Sequence, residues 1–388
     1  MTRTGAPAVI KCERTQKMPE GQSIATKRIP LPALTGIRIF AAYYVVMVHF
    51  GLGFVRRHHG PPVLIHFLSR GFLGVCLFFI LSGFLLAYTY AGERPGEPLA
   101  GRFWQARVAR IYPVYLLSLL FMLPFTAGTS LWRRLAVLFM VQSWVPGPWQ
   151  PNLGGTWNFP SWSLSVEACF YLLFPFLLPA LSRMRTRSLR LLAAALMLAA
   201  VVGNLARPIQ FWALSSHILV RSIPMPIYRL PEFFIGAIAG ILFLRTGGVR
   251  GSGPIADLTA VGSLLFLCVV SDRWASLAIF PFTLLIVSLA GQTGVVARFL
   301  STRAFVLLGG ASYCVYLLQL PVRLYTRALV TQWAHAPRYL DEFVSPLLLL
   351  LVSIIVFLFF EEPARLRLRR LFHLRPRWKW PYIAPPSA

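Results

Sequence analysis

The sequence predicts an all-α integral membrane protein of about ten transmembrane helices with both termini cytoplasmic. Three observations carry this reading. Of 388 residues, 57% are hydrophobic and only 13% charged, about half the charged share of soluble domains. Mean hydropathy is +0.65. Apolar runs near or above bilayer-spanning length recur along the chain.

The spans are read at 34–54, 72–90, 108–127, 161–180, 189–206, 228–244, 255–271, 274–291, 305–326 and 344–361. Leu135–Trp144 is apolar but too short to cross, and reads as an interfacial or re-entrant helix. Charge supports this count. With an internal N-terminus, cytoplasmic segments carry 25 Lys/Arg, external segments 10, and the spans three. An eleventh span at Leu135–Trp144 would leave 15 inside and 20 outside, against the positive-inside rule. The chain then divides into a disordered basic cytoplasmic tail (1–33), a ten-helix membrane domain (34–365) and a basic, Pro-containing cytoplasmic tail (366–388). The first apolar run lacks a small-residue cleavage site and reads as a retained span.

A formal charge of +26 would point to nucleic acid in a soluble protein. Here the basic residues lie mostly between apolar runs, so membrane lipids are the expected partner and nucleic acid is not. Of five cysteines, Cys76, Cys169, Cys268 and Cys314 lie within apolar runs and none forms a CxxC pair, so neither a disulfide scaffold nor a metal site is indicated. His58, His59 and His66 read as surface histidines. The loop 128–160 is rich in Trp, Pro and Gly; its aromatics suit the membrane interface or an external binding surface.

A charged side chain inside a span costs at least ~2.5 kcal/mol, so each one needs a reason. Arg38 and His49 lie eleven residues apart in the first span, three helical turns plus about 20°, and share one face. Glu167 enters the fourth span about 9 Å deep, level with His49; Arg229 and Glu232 open the sixth, and Gln319 and Arg323 close the ninth. These residues form either one polar layer around a water-filled cavity or interhelical ion pairs. A His beside a carboxylate is the arrangement of a general base. Arg107 and Arg110 share a helix face where the third span begins, as phosphate ligands or as ordinary positive-inside anchors. Glu361-Glu362-Pro363 reads as intrahelical pairing with the arginines that follow. Nucleophile motifs of soluble enzymes such as GxSxG are missing.

Several segments together resemble the acyltransferase 3 family, the O-antigen acetylase type of integral membrane acyltransferase. They are Leu34-Thr35-Gly36-Ile37-Arg38 through His49; Gly74 to Phe84; Arg107-x-x-Arg110-Ile111-Tyr112-Pro113; Ser161-Trp162-Ser163-Leu164-Ser165-Val166-Glu167 with Phe170-Tyr171; Leu230-Pro231-Glu232-Phe233-Phe234-Ile235-Gly236; and Gly310-Ala311-Ser312-Tyr313 through Tyr316-Leu317. The order and number of these motifs, over about 34–365, make the resemblance specific.

The resemblance implies a stand-alone member without a fused secreted hydrolase-like domain. It implies an acyl-CoA donor, usually acetyl-CoA, on the cytoplasmic side of a bacterial inner membrane, and a carbohydrate or lipid-linked glycan acceptor. It makes His49, Arg38 and Glu167 catalytic candidates, Arg107 and Arg110 donor-phosphate ligands, and Glu232, Arg229, Gln319 and Tyr313 substrate-binding candidates, with no metal. His49 acts as general base or as an acylated nucleophile. Many members carry His where Gln319 stands, and Gln cannot titrate. A transporter or flippase for a glycan or lipid-linked sugar, using the same polar groups without acyl chemistry, is the alternative.

Overall fold

The computed structural model describes residues 29–92, 99–144, 157–206, 224–247, 253–330 and 339–374. Most of the two expected tails, Cys12 and the middle of the 128–160 loop lie outside these ranges. Among the described residues the structure is helical, with no strand.

The helices are α1 (Pro32–Arg57), α2 (Pro62–Ser69), α3 (Leu73–Tyr90), α4 (Leu99–Met122), α5 (Leu131–Leu138), α6 (Trp162–Arg183), α7 (Thr186–Ala206), α8 (Met225–Arg245), α9 (Gly253–Val269), α10 (Ile279–Ala290), α11 (Val295–Leu300), α12 (Arg303–Ala328), α13 (Tyr339–Val356) and α14 (Glu362–Leu371). A π-helical turn, Phe357–Glu361, joins α13 to α14. Nine helical stretches among the described residues are long and apolar enough to cross a membrane. The tenth expected crossing is α9, an apolar helix of 17 residues, at the lower limit of spanning length. The apolar run at 135–144 holds only the last turn of the eight-residue α5, which starts at Leu131, and the rest of the run is non-helical. The C-terminal segment from 366 begins as helix, because α14 continues to Leu371.

Helical prolines punctuate the spans: Pro113 in α4, Pro175 and Pro179 in α6, Pro231 in α8, Pro321 in α12 and Pro346 in α13. Neighbouring helices satisfy backbone groups that such residues free. The Tyr43 hydroxyl of α1 also donates to the Pro346 carbonyl at 2.8 Å, which ties α1 to α13.

Lipid removes most of the hydrophobic drive for helices to associate, so small residues that allow close contact decide which helices pair. Two pairs form the centre of the bundle. In α3 and α8, a Cβ on Gly83 would lie 1.9 Å from the Phe233 carbonyl oxygen, and one on Gly236 2.0 Å from that of Ile80. In α1 and α12, a Cβ on Gly309 would lie 1.9 Å from the Thr35 carbonyl oxygen. Backbone meets backbone at each point. α7 packs along α8 at the periphery and leaves Leu191, Leu198 and Val202 exposed, as lipid contact requires.

Gly236→Ala forces α3 and α8 apart. It is expected to cost about 3 kcal/mol, read as a clear fall in the thermal unfolding midpoint in detergent. Gly262→Ala, in the interior of α9 where nothing lies within 4 Å, does not lower the midpoint, because Ala is the better helix former. Equal midpoints for the two variants would show that the glycine contact is dispensable.

Candidate functional site

Two cavities lie along the inward face of α1. The arginine cavity, about 160 Å³, is lined by Arg38 from α1, Ser82 from α3, Arg107 and Arg110 from α4, Glu167 and Tyr171 from α6 and Tyr313 from α12. The histidine pocket, about 30 Å³, is lined by His49, by Phe72, by Phe159, Pro160 and Trp162 at the start of α6, by Arg229 from α8 and by Gln319 from α12. Val75 and Tyr316 line both. Arg38 and His49 thus face protein from one side of α1, as their spacing requires.

In the arginine cavity charge is unevenly matched. Arg110 pairs with Glu361, whose other carboxylate oxygen accepts from Cys314 Sγ at 3.0 Å. Among the described residues neither Arg38 nor Arg107 has an ion-pair partner. The Arg107 guanidinium lies 5.8 Å from the ring centres of Phe103 and Tyr171, and its Nε is buried without a partner. Glu167 is held by two hydroxyls instead, Ser82 Oγ at 2.7 Å and the Tyr171 hydroxyl. Three guanidinium groups therefore face two carboxylates, Glu167 and Glu361. A cavity with surplus positive charge and apolar walls attracts anions, and guanidinium forks match phosphate or carboxylate oxygens.

The histidine pocket is smaller and more apolar. The His49 ring stands edge-on to Phe159, with ring centres 6.1 Å apart. Gln319 donates to the Tyr316 carbonyl at 2.7 Å, and its Oε1 is buried with no partner among the described residues. Arg229 pairs with Glu232 one turn on and lies 5.9 Å from the Trp162 ring centre. Arg323 donates to the His49 carbonyl, lies 3.8 Å from Asp341 and covers Phe50. It clamps the backbone of α1 at His49 to the start of α13.

The single polar layer expected from the sequence is therefore divided. His49, Arg229 and Gln319 come together; Glu167 joins Arg38, Arg107, Arg110 and Tyr313 in the other cavity; Glu232 and Arg323 line neither. The depth of Glu167 differs because Phe159, Pro160 and Trp162 already lie level with His49. Five residues further on, Glu167 is about 7–8 Å deeper. Arg107 and Arg110 also sit inside α4 and not at its N-terminus, because the helix starts at Leu99. Their pull on an anion comes from side-chain charge alone. Tyr313 donates to the Ile111 carbonyl at 2.9 Å, which fixes its ring beneath Arg110. Trp144 and Trp157, expected at the membrane interface or an external surface, donate to the carbonyls of Ser165 and Leu119. Among the described residues no three His, Cys, Asp or Glu side chains could jointly hold a metal ion.

Sequence reasoning missed Glu361, Ser82 and Val75. Glu362 does pair within its helix, with Arg365 at 2.7 Å. Glu361 instead turns inward to α4, because the wide π-helical turn departs from α-helical spacing. Phe359 is 76% exposed and Glu361 0%. An acid at the C-terminal end of the last apolar run, with basic residues on another span, was the available signal.

Removing Glu361 leaves Arg110 as a buried cation without a counter-ion. Glu361→Gln is expected to cost about 3 kcal/mol, near the low end for such losses, because the Arg110 side chain keeps 15% exposure. Thermal unfolding in detergent measures it. Adding Arg110→Met to Glu361→Gln restores most of the loss; no recovery would show that the pair is not what stabilises this junction.

The family model described as "Acyltransferase domain" matches residues 31–361. Acyltransferase MdmB of Streptomyces mycarofaciens is 31% identical over 341 residues, covering 79% of this chain and 84% of that protein. O-acetyltransferase OatA of Staphylococcus aureus is 26% identical over 386 residues, covering 90% of this chain and 59% of that protein. No solved structure matches. A family match over nearly all the described helices, on a bundle with charged and histidine-bearing cavities, leads to one conclusion: the chain belongs to this family of membrane acyltransferases.

Proposed function

We propose that this multi-pass membrane enzyme moves an acetyl group from cytoplasmic acetyl-CoA to a hydroxyl of a carbohydrate or lipid-linked glycan. One observation carries the reading: a surplus-positive cavity and a histidine pocket abut on one face of α1. The first suits an anionic donor and the second a hydroxyl to be deprotonated. The name of OatA, an O-acetyltransferase, supports acetyl as the group and oxygen as its destination. The excess of Lys/Arg in alternate loops supports cytoplasmic termini, with the arginine cavity in the cytoplasmic half of a bacterial inner membrane.

In this mechanism the donor enters on the arginine side. Arg107, which pairs with no carboxylate among the described residues, takes the larger share of its phosphate charge, and Arg110 contributes while tied to Glu361. Arg38 lies about 16 Å along the helix from His49, so it serves the donor's path. Glu167 and Tyr313 shape that cavity. The acceptor approaches on the histidine side, where Arg229 and Gln319 offer hydrogen bonds and Glu232 holds Arg229. His49 takes the proton of the acceptor hydroxyl as its oxygen attacks the thioester carbonyl. The C–O bond forms, the C–S bond breaks, and the proton passes to the leaving thiolate.

His49→Ala is expected to reach the membrane at parental abundance and to lose transfer at least about a hundredfold. Mass spectrometry of cell-envelope and secreted glycans, comparing cells with the parent protein, the variant and neither, reads the lost acyl mass. Undiminished acylation by His49→Ala would falsify the role given to His49.

A further inference from the structure

The two cavities meet at a wall of two side chains. Val75 of α3 and Tyr316 of α12 are both nearly buried, and each contributes to both cavities. The Tyr316 hydroxyl lies 2.8 Å from Ser163 Oγ, and its ring stands edge-on to Phe78 at 6.1 Å between centres. Tyr316 is therefore held from two sides. The spaces it separates are unequal, about 160 Å³ on the arginine side and 30 Å³ on the histidine side. One water-sized group needs roughly 10–15 Å³ on this measure. The histidine pocket thus takes two or three small groups, and Val45, Val48 and Phe72 make much of its wall apolar.

We propose that Val75 and Tyr316 set the length of the acyl group transferred, confining the enzyme to groups of acetyl size. The inference rests on the acyl-transfer reading above. A thioester offered from the arginine cavity can meet a hydroxyl beside His49 only with its carbonyl at the Val75–Tyr316 boundary. The acyl tail then projects into the histidine pocket. A methyl group fits the apolar wall there, while each added methylene needs volume that the acceptor oxygen also requires. Bond changes are those of the transfer itself: C–O forms, C–S breaks, and the acceptor proton reaches the thiolate through His49.

The test uses detergent-solubilised membranes, in which both faces of the protein are accessible, with envelope glycans from the cells that make it, supplied with acetyl-, butanoyl- or hexanoyl-CoA. Mass spectrometry reads which acyl groups are joined to glycan. The parent protein is expected to transfer acetyl and to discriminate against the longer chains. Val75→Ala opens the wall and raises the butanoyl-to-acetyl product ratio by roughly tenfold or more, the usual worth of a methylene or two in an apolar pocket. Tyr316→Phe keeps the ring but frees it from Ser163, raises the ratio less, and supplies the comparison if Val75→Ala is not recovered in membranes. An unchanged ratio in the recovered variants, or parental transfer of hexanoyl as readily as acetyl, overturns the inference and leaves acyl transfer standing. Absence of any thioester-dependent transfer by the parent overturns the acyl-transfer reading itself.

Discussion

Charge placed inside an apolar medium governs this bundle. Arg38 and His49 cannot face lipid without a cost of at least ~2.5 kcal/mol for the guanidinium alone. Because they share one side of α1, that entire side must be covered by protein. α3 and α12 supply much of the cover, and both cavities open along it. Arg107 and Arg110 impose the same demand on α4, and Glu167 on α6. The site is where these polar faces converge, since no arrangement of the helices can place them all inward without bringing several together.

Close backbone contact makes that convergence rigid. The α3–α8 and α1–α12 contacts through Gly83, Gly236 and Gly309 bring helix backbones into touch, and contact without intervening side chains leaves little freedom to slide. Arg323 adds a polar fastening at the His49 carbonyl, and the Arg110–Glu361 pair ties α4 to the end of the last crossing. The mobile reactants can then be handled by fixed groups, which is the condition for positioned acid–base chemistry. What remains unfilled is space that charged groups cannot close by packing, and Val75 with Tyr316 partitions it.

Much of this was legible beforehand because the bilayer imposes strong one-dimensional rules. All ten expected crossings correspond to helical stretches: α9 lies at the lower limit of length with 17 residues, and α10 reaches 18 only together with the 3-10 turns that precede it, as Arg273–Ala290. The inward face of α1 followed from helical spacing alone. Glu167 did not, because counting from the edge of an apolar run assumes that the run starts at the membrane surface. Phe159, Pro160 and Trp162 start it deeper, beside His49. Glu361 was equally hidden: local spacing gave it Arg365 and its neighbours as partners, and only a π-helical turn aims it at Arg110.

The sequence by itself determined the membrane class, the crossings, the family motifs and the shared face of Arg38 and His49. These depend on hydrophobic length, charge placement and a fixed helical period, all local along the chain. Tertiary structure alone decided that the polar groups divide between two cavities, that Glu167 belongs with the arginines, and that Val75 and Tyr316 stand between. Those outcomes depend on relative helix depth and on which side chains meet across helices distant in sequence, and no local period encodes either.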